Sequence, residues 1–460
     1  MLALKINKMD DYMFSTLIIV FTIGLLAIVG FVSSIISLRE KELKAAFRLL
    51  TISLALVVSA YFLGLSNYSL KPIVAYTNIA LFVIAIYLFI KKPVKLERNK
   101  MSTPKRIVDE HNVIFARMRL KPNTPDWENY YSSHPFEYEQ DSIARKLPGL
   151  LSPKSNYYNP FTYQTADVNF GVIDYLHSTI DHPVSEQQNA ISPNDLSKKV
   201  KEWTLKLGAH SVGITELKDY HAYTVRGRGK DKGKPVELKH KLAIAFTVEM
   251  DIDNVQAAPA SSIVMESSQQ YLNAAVIAIQ IANLLKGFGY DSRAHIDGDY
   301  ELICPLVAAD AGLGEIGRMG LLMTPKLGPR VRIAVVTTNT PLIVDKAQHN
   351  GMMIEFCRFC KKCADCCPSQ SIPKGEMQKV NGVLRWQIDS NACYKYWCSA
   401  GTDCGRCMAV CPFSHPDNIL HNTVRYLIVR SRLFARFAYL ADDFLYGRRP
   451  KPKSLPKWLK

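Results

Sequence analysis

Three runs without a charged residue open the chain: Met13 to Leu38, Leu49 to Leu70 and Pro72 to Ile90. Each comes close to the ~20 apolar residues that carry a helix across ~30 Å of hydrocarbon, so the pattern predicts three transmembrane helices. A secretory signal would be one shorter apolar run with a small-residue cleavage site, and no twin-arginine pair precedes these segments. Beyond them, Thr103 to about Asn194 is rich in Pro, Tyr, Asn and Ser without a sustained period, and is expected to wrap irregularly. Regular patterning then begins. Asn194-Asp-Leu-Ser predicts a capped helix to about Gly208. Lys241 to Met250 is expected to be a buried strand, and Val331 to Thr338 a second one rich in branched residues. Between them Ser267 to Phe288 carries Ala274, Ala275, Ala278, Ile281, Ala282 and Leu285 at helical spacing. Helices mixed with strands imply an α/β or α+β core, and periodicity does not choose between the two.

Charge orients the anchor. The loop between the first two helices holds Arg39, Lys41, Lys44 and Arg48, and the segment after the third holds Lys91, Lys92, Lys95, Arg98 and Lys100. Three crossings place both regions on one side, and the positive-inside rule makes that side the cytoplasm, with the catalytic bulk. The amino terminus, where Asp10 and Asp11 offset Lys5 and Lys8, falls outside. Over all 460 residues the formal charge is +16, most of it from Lys91–Arg106 and Arg425–Lys460. Such concentration suggests local contact with an anionic surface, or a solvated basic tail. Tyr426 to Tyr446 interleaves basic with apolar residues in the manner of a membrane-surface or docking helix, so nucleic acid is not required to explain it. At 48% hydrophobic and 21% charged, the chain excludes a disordered protein, and its length suggests two or three folded units.

Ten of the eleven cysteines lie between Cys357 and Cys411, with only Cys304 outside, which points to a metal site rather than a disulfide framework. Cys357-x2-Cys360-x2-Cys363-x3-Cys367-Pro368 is the run that wraps a 4Fe-4S cluster, its last cysteine reaching a second cluster. A matching half follows at Cys404-x2-Cys407-x3-Cys411-Pro412, with Cys393 as its displaced first member. Interleaving assigns Cys357, Cys360, Cys363 and Cys411 to one cluster, and Cys367, Cys393, Cys404 and Cys407 to the other. Cys398 is an alternative to Cys393, and Cys366 and Cys304 are expected to be small buried residues. A zinc ribbon needs four ligands and leaves the repeated x3-Cys-Pro ending unexplained.

Five further stretches carry a family resemblance: Val248-Glu-Met-Asp, Met265-Glu-Ser-Ser-Gln-Gln-Tyr271, Gly289-Tyr-Asp-Ser-Arg-Ala-His295-Ile-Asp297, Ala311-Gly-Leu-Gly-Glu-Ile-Gly-Arg-Met-Gly320 and Leu321-Leu-Met-Thr-Pro-Lys-Leu-Gly-Pro-Arg330-Val-Arg332. With the cysteine block, residues 200 to 415 resemble the corrinoid-dependent reductive dehalogenases. The resemblance implies a nitroreductase-like core holding cobalamin, a ferredoxin-like domain with two 4Fe-4S clusters, and reductive cleavage of an organohalide. It implies a tyrosine proton donor helped by a basic residue. Tyr271 matches the tyrosine, and Arg330 is taken as its partner with Arg332 as the alternative. Asp297 resembles the acidic residue of epoxyqueuosine reductases and is read as a proton donor or as a turn former before Gly298. Gly312, Gly314, Gly317 and Gly320, with Arg332, are expected at the cofactor. No Asp-x-His-x-x-Gly motif offers cobalt a histidine; Asp219-Tyr-His221 comes nearest but continues to Thr224.

The organisation expected is an anchor over 1–100, a wrapping segment over 101–195, a cobalamin-binding core over 196–345, a two-cluster domain over 346–420 and a basic tail over 421–460. The expected partners are an organohalide, membrane lipid and an electron donor, without nucleic acid. Two other functions share parts of the pattern: an epoxyqueuosine reductase acting on tRNA, and a non-enzymatic electron-transfer subunit.

Overall fold

The computed structural model describes residues 2–65, 71–94, 105–189, 191–347 and 351–460. The anticipated end of the second apolar run at 66–70, and the cations Lys95, Arg98 and Lys100, lie outside them. In chain order the main elements begin with three helices, α1 (Leu2–Arg39), α2 (Leu43–Leu65) and α3 (Lys71–Ile90). Four shorter ones follow: α4 (Ile114–Met118), α5 (Pro125–Ser132), α6 (Pro135–Arg145) and α7 (Pro160–Leu176). Then come α8 (Pro193–Lys206), β1 (Ser211–Glu216), β2 (Leu242–Glu249), α9 (Ile252–Gln256), α10 (Ser262–Gly287), β3 (Ser292–His295) and α11 (Cys304–Asp310). The short pair β4 (Glu315–Ile316) and β5 (Leu322–Met323) precedes β6 (Val331–Thr338). The cysteine-rich part holds α12 (Gly351–Cys360), α13 (Lys362–Asp365), β7 (Gln378–Val380), β8 (Val383–Arg385), α14 (Ser390–Ala400) and α15 (Arg406–Ala409). The chain ends with α16 (Ile419–Ile428) and α17 (Arg432–Tyr446).

Contacts divide the chain into two compact units: residues 1–94 with 417–450, and 95–416 with 451–460. The first holds α1–α3, whose apolar spans Met13–Arg39, Leu43–Leu63 and Lys71–Ile90 are long enough to cross a bilayer. The basic stretch expected as a separate tail is split, with α16 and α17 folding into this first unit and the last ten residues into the second.

The second unit is built on a four-stranded sheet in the order β1-β2-β6-β3, with every neighbouring pair antiparallel. Antiparallel pairing settles the ambiguity left by periodicity: the core is α+β, not a doubly wound parallel sheet. Alternation along the strands serves two cores. Ile244, Phe246, Ala334 and Val336 pack against Ala274, Ala278, Ile281 and Leu285 of α10. Ala243, Ala245 and Val335 face the opposite way, onto Val307 and Ala308 of α11.

The segment expected to be irregular contains four helices, α4 to α7. The reason is local: Thr124-Pro125 and Asn159-Pro160 are N-cap–N1 pairs whose polar side chains accept from Trp127 N–H and Thr162 N–H. Proline at N1 starts a helix rather than breaking one, because its missing N–H is an orphan there anyway. The same chemistry moves the start of α8 forward, since Ser192, not Asn194, accepts from Asp195 N–H ahead of Pro193.

Candidate active site and cluster-binding cysteines

The interleaved cysteine sets are the sets the fold brings together. Cys357, Cys360, Cys363 and Cys411 line one cavity with Arg318, Phe356 and Phe413. Burial pushes the Cys363 thiol well up, reinforced by Cys357, Cys411, Cys407 and Cys360 around it. In the second set, burial pushes Cys404 up to about 12, with Cys393 and Cys367 adding to it. Cys393 rises to about 11, again mainly from burial and with Cys367 as a neighbour. Cys367 moves the other way: burial would raise it, but the hydroxyls of Ser369 and Ser371, at 3.4 and 3.3 Å, favour its thiolate and win. Buried thiols that resist ionisation need positive metal to hold them as thiolates, so both sets fit iron–sulfur ligation. Among the described residues no three Cys, His, Asp or Glu side chains converge as ligands of one ion. The thiols of the first set line a cavity, which fits a polynuclear cluster.

Cys398, the alternative ligand, is buried and interacts with Tyr394, on the same helix α14 as Cys393. Cys366 is half-buried and bonded to Arg406, not buried as expected, while Cys304 is buried.

Tyr271 lies on α10 one turn after Ser267, and Arg332 of β6 spans the two. Its guanidinium carbon sits 4.7 Å from the Tyr271 ring centroid, and its Nη2 donates to Ser267 Oγ and, at 2.9 Å, to Asp403 Oδ2. Ser267 Oγ donates to the same carboxylate oxygen. A guanidinium on an aromatic face contributes about 0.5–2 kcal/mol. It also places a permanent cation where a phenolate would form. Burial raises the Tyr271 hydroxyl and outweighs Arg332, so the side chain stays a neutral phenol. Asp403 is likewise pushed up by burial against the pull of Arg332 and Ser267. Because Asp403 immediately precedes Cys404, these four side chains join the tyrosine to the second cysteine set.

The choice between the two arginines is thereby resolved in geometry. Arg330 is consumed by structure: its side chain is 2% exposed, pairs with Glu249 at 2.6 Å and donates to the Met250 carbonyl. Arg332 alone is brought to Tyr271. Arg330→Gln should therefore cost about 2 kcal/mol of stability, discounted because Glu249 is half-exposed, as read by denaturant unfolding.

Asp297 occupies a tight turn closed by the Ile296–Asp299 bridge, with Gly298 at φ +80°. The turn is the role the geometry shows: its carbonyl faces His177 Nε2 at 2.7 Å, while its Oδ1 accepts from Tyr300 Oη at 3.4 Å. Asp297 acts electrostatically on both Tyr271 and Tyr300, and burial drives the Tyr300 hydroxyl well up. Tyr271, Asp297 and Tyr300 stay partly exposed.

A large bound group fits beside Tyr271 on two grounds. Arg332 Nε and Asp403 Oδ1 are buried without a hydrogen-bond partner among the described residues, so a ligand has polar atoms to complete. The nearby histidines are committed elsewhere: His221 accepts from Lys218 N–H and faces Asp310, and His295 is held by Glu301 N–H and Thr337. The glycines also answer a local need. Gly312 and Gly320 take positive φ, a Cβ on Gly314 would meet the Met323 carbonyl at 2.1 Å, and one on Gly317 would meet the Met323 side chain at 2.6 Å. Their smallness serves the β4–β5 hairpin itself.

Sequence reasoning passed over Ser267 and Asp403 as partners of Arg332, and two more residues besides. Tyr300 is one. The other is Arg318, fully buried, which donates to the carbonyls of Cys357, Pro373, Gly375 and Arg358 and lies 4.4 Å from the Trp386 ring centroid. Burial lowers its pKa, opposed by Cys363 and Cys357, so a fixed cation faces the first cysteine set. Its only sequence signal is position, inside the glycine series Gly-Arg-Met-Gly.

A model of the 4Fe-4S dicluster domain matches residues 356–415. The chain is 32% identical over 343 residues to the tetrachloroethene reductive dehalogenase of Dehalobacter restrictus, covering 63% of this chain and 62% of the relative. It is 34% identical over 236 residues to the enzyme of that name from Sulfurospirillum multivorans, covering 48% of this chain and 46% of the relative. A solved catabolic reductive dehalogenase, in complex with 3-bromo-4-hydroxybenzoic acid, shares the fold at TM-score 0.61 and 23% identity, covering 78% of this chain and 48% of that one. The match thus spans under two thirds of the curated relatives' length and about half of the solved chain.

Proposed function

We propose that this chain is a membrane-anchored reductive dehalogenase that replaces a carbon-bound halogen of an organohalide with hydrogen. One observation carries the reading: a half-buried neutral phenol, Tyr271, lies under the Arg332 guanidinium and is joined through Asp403 to a two-cluster domain. The similarity over 343 residues to tetrachloroethene reductive dehalogenases supports the substrate class.

Replacing halogen by hydrogen takes two electrons and a proton and releases halide. A cobalamin, held in a nitroreductase-like core beside Tyr271, would supply the reduced metal at which the carbon–halogen bond breaks. The clusters, held by Cys357, Cys360, Cys363 and Cys411 and by Cys367, Cys393, Cys404 and Cys407, would supply electrons singly. The remaining work belongs to side chains. Tyr271 Oη carries the proton, and Arg332 stabilises the phenolate left behind. Asp403 and Ser267 fix the guanidinium over the ring. Asp297 and Tyr300, linked by a hydrogen bond and within electrostatic reach of Tyr271, are the groups through which the phenol is reprotonated.

Halide release from a haloalkene and a haloaromatic, under anaerobic reduction, tests the function; release from neither would defeat it. Arg332→Gln should lower that release by roughly tenfold to a hundredfold while Arg332→Lys recovers part of it, since charge is restored but the planar stack is not. Equal activity of Arg332→Gln and the parent would remove the cation from the mechanism. The anchor's loop charges, Arg39, Lys41, Lys44 and Arg48, support a cytoplasmic catalytic unit. Protease protection in sealed vesicles should leave residues 105–416 exposed on the cytoplasmic side, and their protection there would reverse the orientation.

A further inference from the structure

We infer that α17 is an interfacial helix whose outward face is seated in the anionic headgroup layer of the bilayer that α1–α3 span. The inference rests on reading those three helices as the anchor. Leu433, Phe437, Leu440 and Phe444 are 80%, 63%, 61% and 54% exposed. They stand at i, i+4, i+7 and i+11, which at ~100° per residue places them within about 60° of arc. The helix buries the opposite side, Ala435, Ala438 and Asp442, within its own unit. Four large apolar side chains thus point away from the protein. A helix covered by water presents charge on that side, and one that lies in a membrane interface presents this.

The occupant follows from where the helix is tied. Arg48, at the start of α2, donates to the carbonyl of Phe444 and lies 4.9 Å from its ring centroid. In α16, Asn418 donates to Glu40 in the α1–α2 turn at 2.6 Å. Tyr426 Oη donates to the Phe89 carbonyl at the end of α3 at 2.7 Å, and Val94 N–H to the Val429 carbonyl at 2.9 Å. With three crossings, the α1–α2 turn and the end of α3 emerge on the same side of the membrane. Helices tied to both therefore lie at the level where the anchor leaves the hydrocarbon. Arg432 and Arg436, both exposed, flank the apolar arc, which matches anionic headgroups.

The full chain, reconstituted in nanodiscs of zwitterionic and anionic phospholipid, provides the test. p-Benzoylphenylalanine is placed singly at 437, 440 and, within α3, at the exposed position 81. Irradiation should give lipid adducts at all three positions, with the yield at 437 and 440, but not at 81, falling several-fold when anionic lipid is omitted. Adducts at 81 with none to lipid at 437 and 440 would overturn the inference while sparing the anchor. Adducts at 437 and 440 to a polypeptide would also overturn it, because another protein then covers the face. No adduct at 81 would remove the anchor, and with it the premise.

Discussion

Tyr271→Phe is expected to cut halide release by about a hundredfold or more, the scale on which a positioned general acid contributes, with iron and cobalamin contents unchanged. The substitution removes one oxygen. The ring under Arg332 stays, so the cation–π contact at 4.7 Å survives and the fold has no reason to respond. What is lost is a phenol that burial keeps protonated and whose anion the guanidinium is placed to stabilise. Comparison with Arg332→Gln separates donor from electrostatic support: the first removes the proton, the second leaves it and raises the cost of giving it up. Unchanged turnover in Tyr271→Phe would take the residue out of the chemistry.

The second large effect concerns cluster assignment. Cys411→Ala should lose one cluster, not two, bringing iron from about eight to about four atoms per chain. Electron paramagnetic resonance of the reduced protein should then show one centre, free of the magnetic coupling expected of a neighbouring pair. Cys411 is last in sequence, yet it lines the cavity of the first three cysteines, so the double variant Cys357→Ala/Cys411→Ala should still keep one cluster, whereas two consecutive sets would lose both. Cys398→Ala should retain both clusters, as its interaction is with Tyr394. Loss of a cluster in Cys398→Ala would exchange it with Cys393.

Much of this site is legible in the amino-acid order because its chemistry is local. Cysteine spacing dictates a wrapping loop, and the repeated Cys-Pro ending carries the exchange of a ligand between halves. Strand β6 is read at its true limits, Val331 and Thr338, because a run of branched residues between polar flanks has few alternatives. The choice between Arg330 and Arg332 was not legible. Both are cations two residues apart, and what separates them is Glu249 on a neighbouring strand, which captures one and leaves the other to face α10. The helices of 105–189 were hidden for an opposite reason. Their composition and lack of a sustained period point to irregular chain, while the residues preceding two of the prolines, Thr124 and Asn159, make those prolines first turns. Arg318 escaped because its role exists only after Cys357 and Gly375 are folded around it. The membrane helices were read from composition alone, but the outward apolar face of α17 emerges only once its buried side is known.

The account stands most directly on corrinoid content. Full-length protein produced with a cobalamin supply and purified without oxygen should carry about one corrinoid and about eight iron atoms per chain, by cyanide extraction and metal analysis. Protein that repeatedly carries its iron and acid-labile sulfide but no corrinoid, under conditions in which a known cobalamin enzyme is loaded, would contradict it.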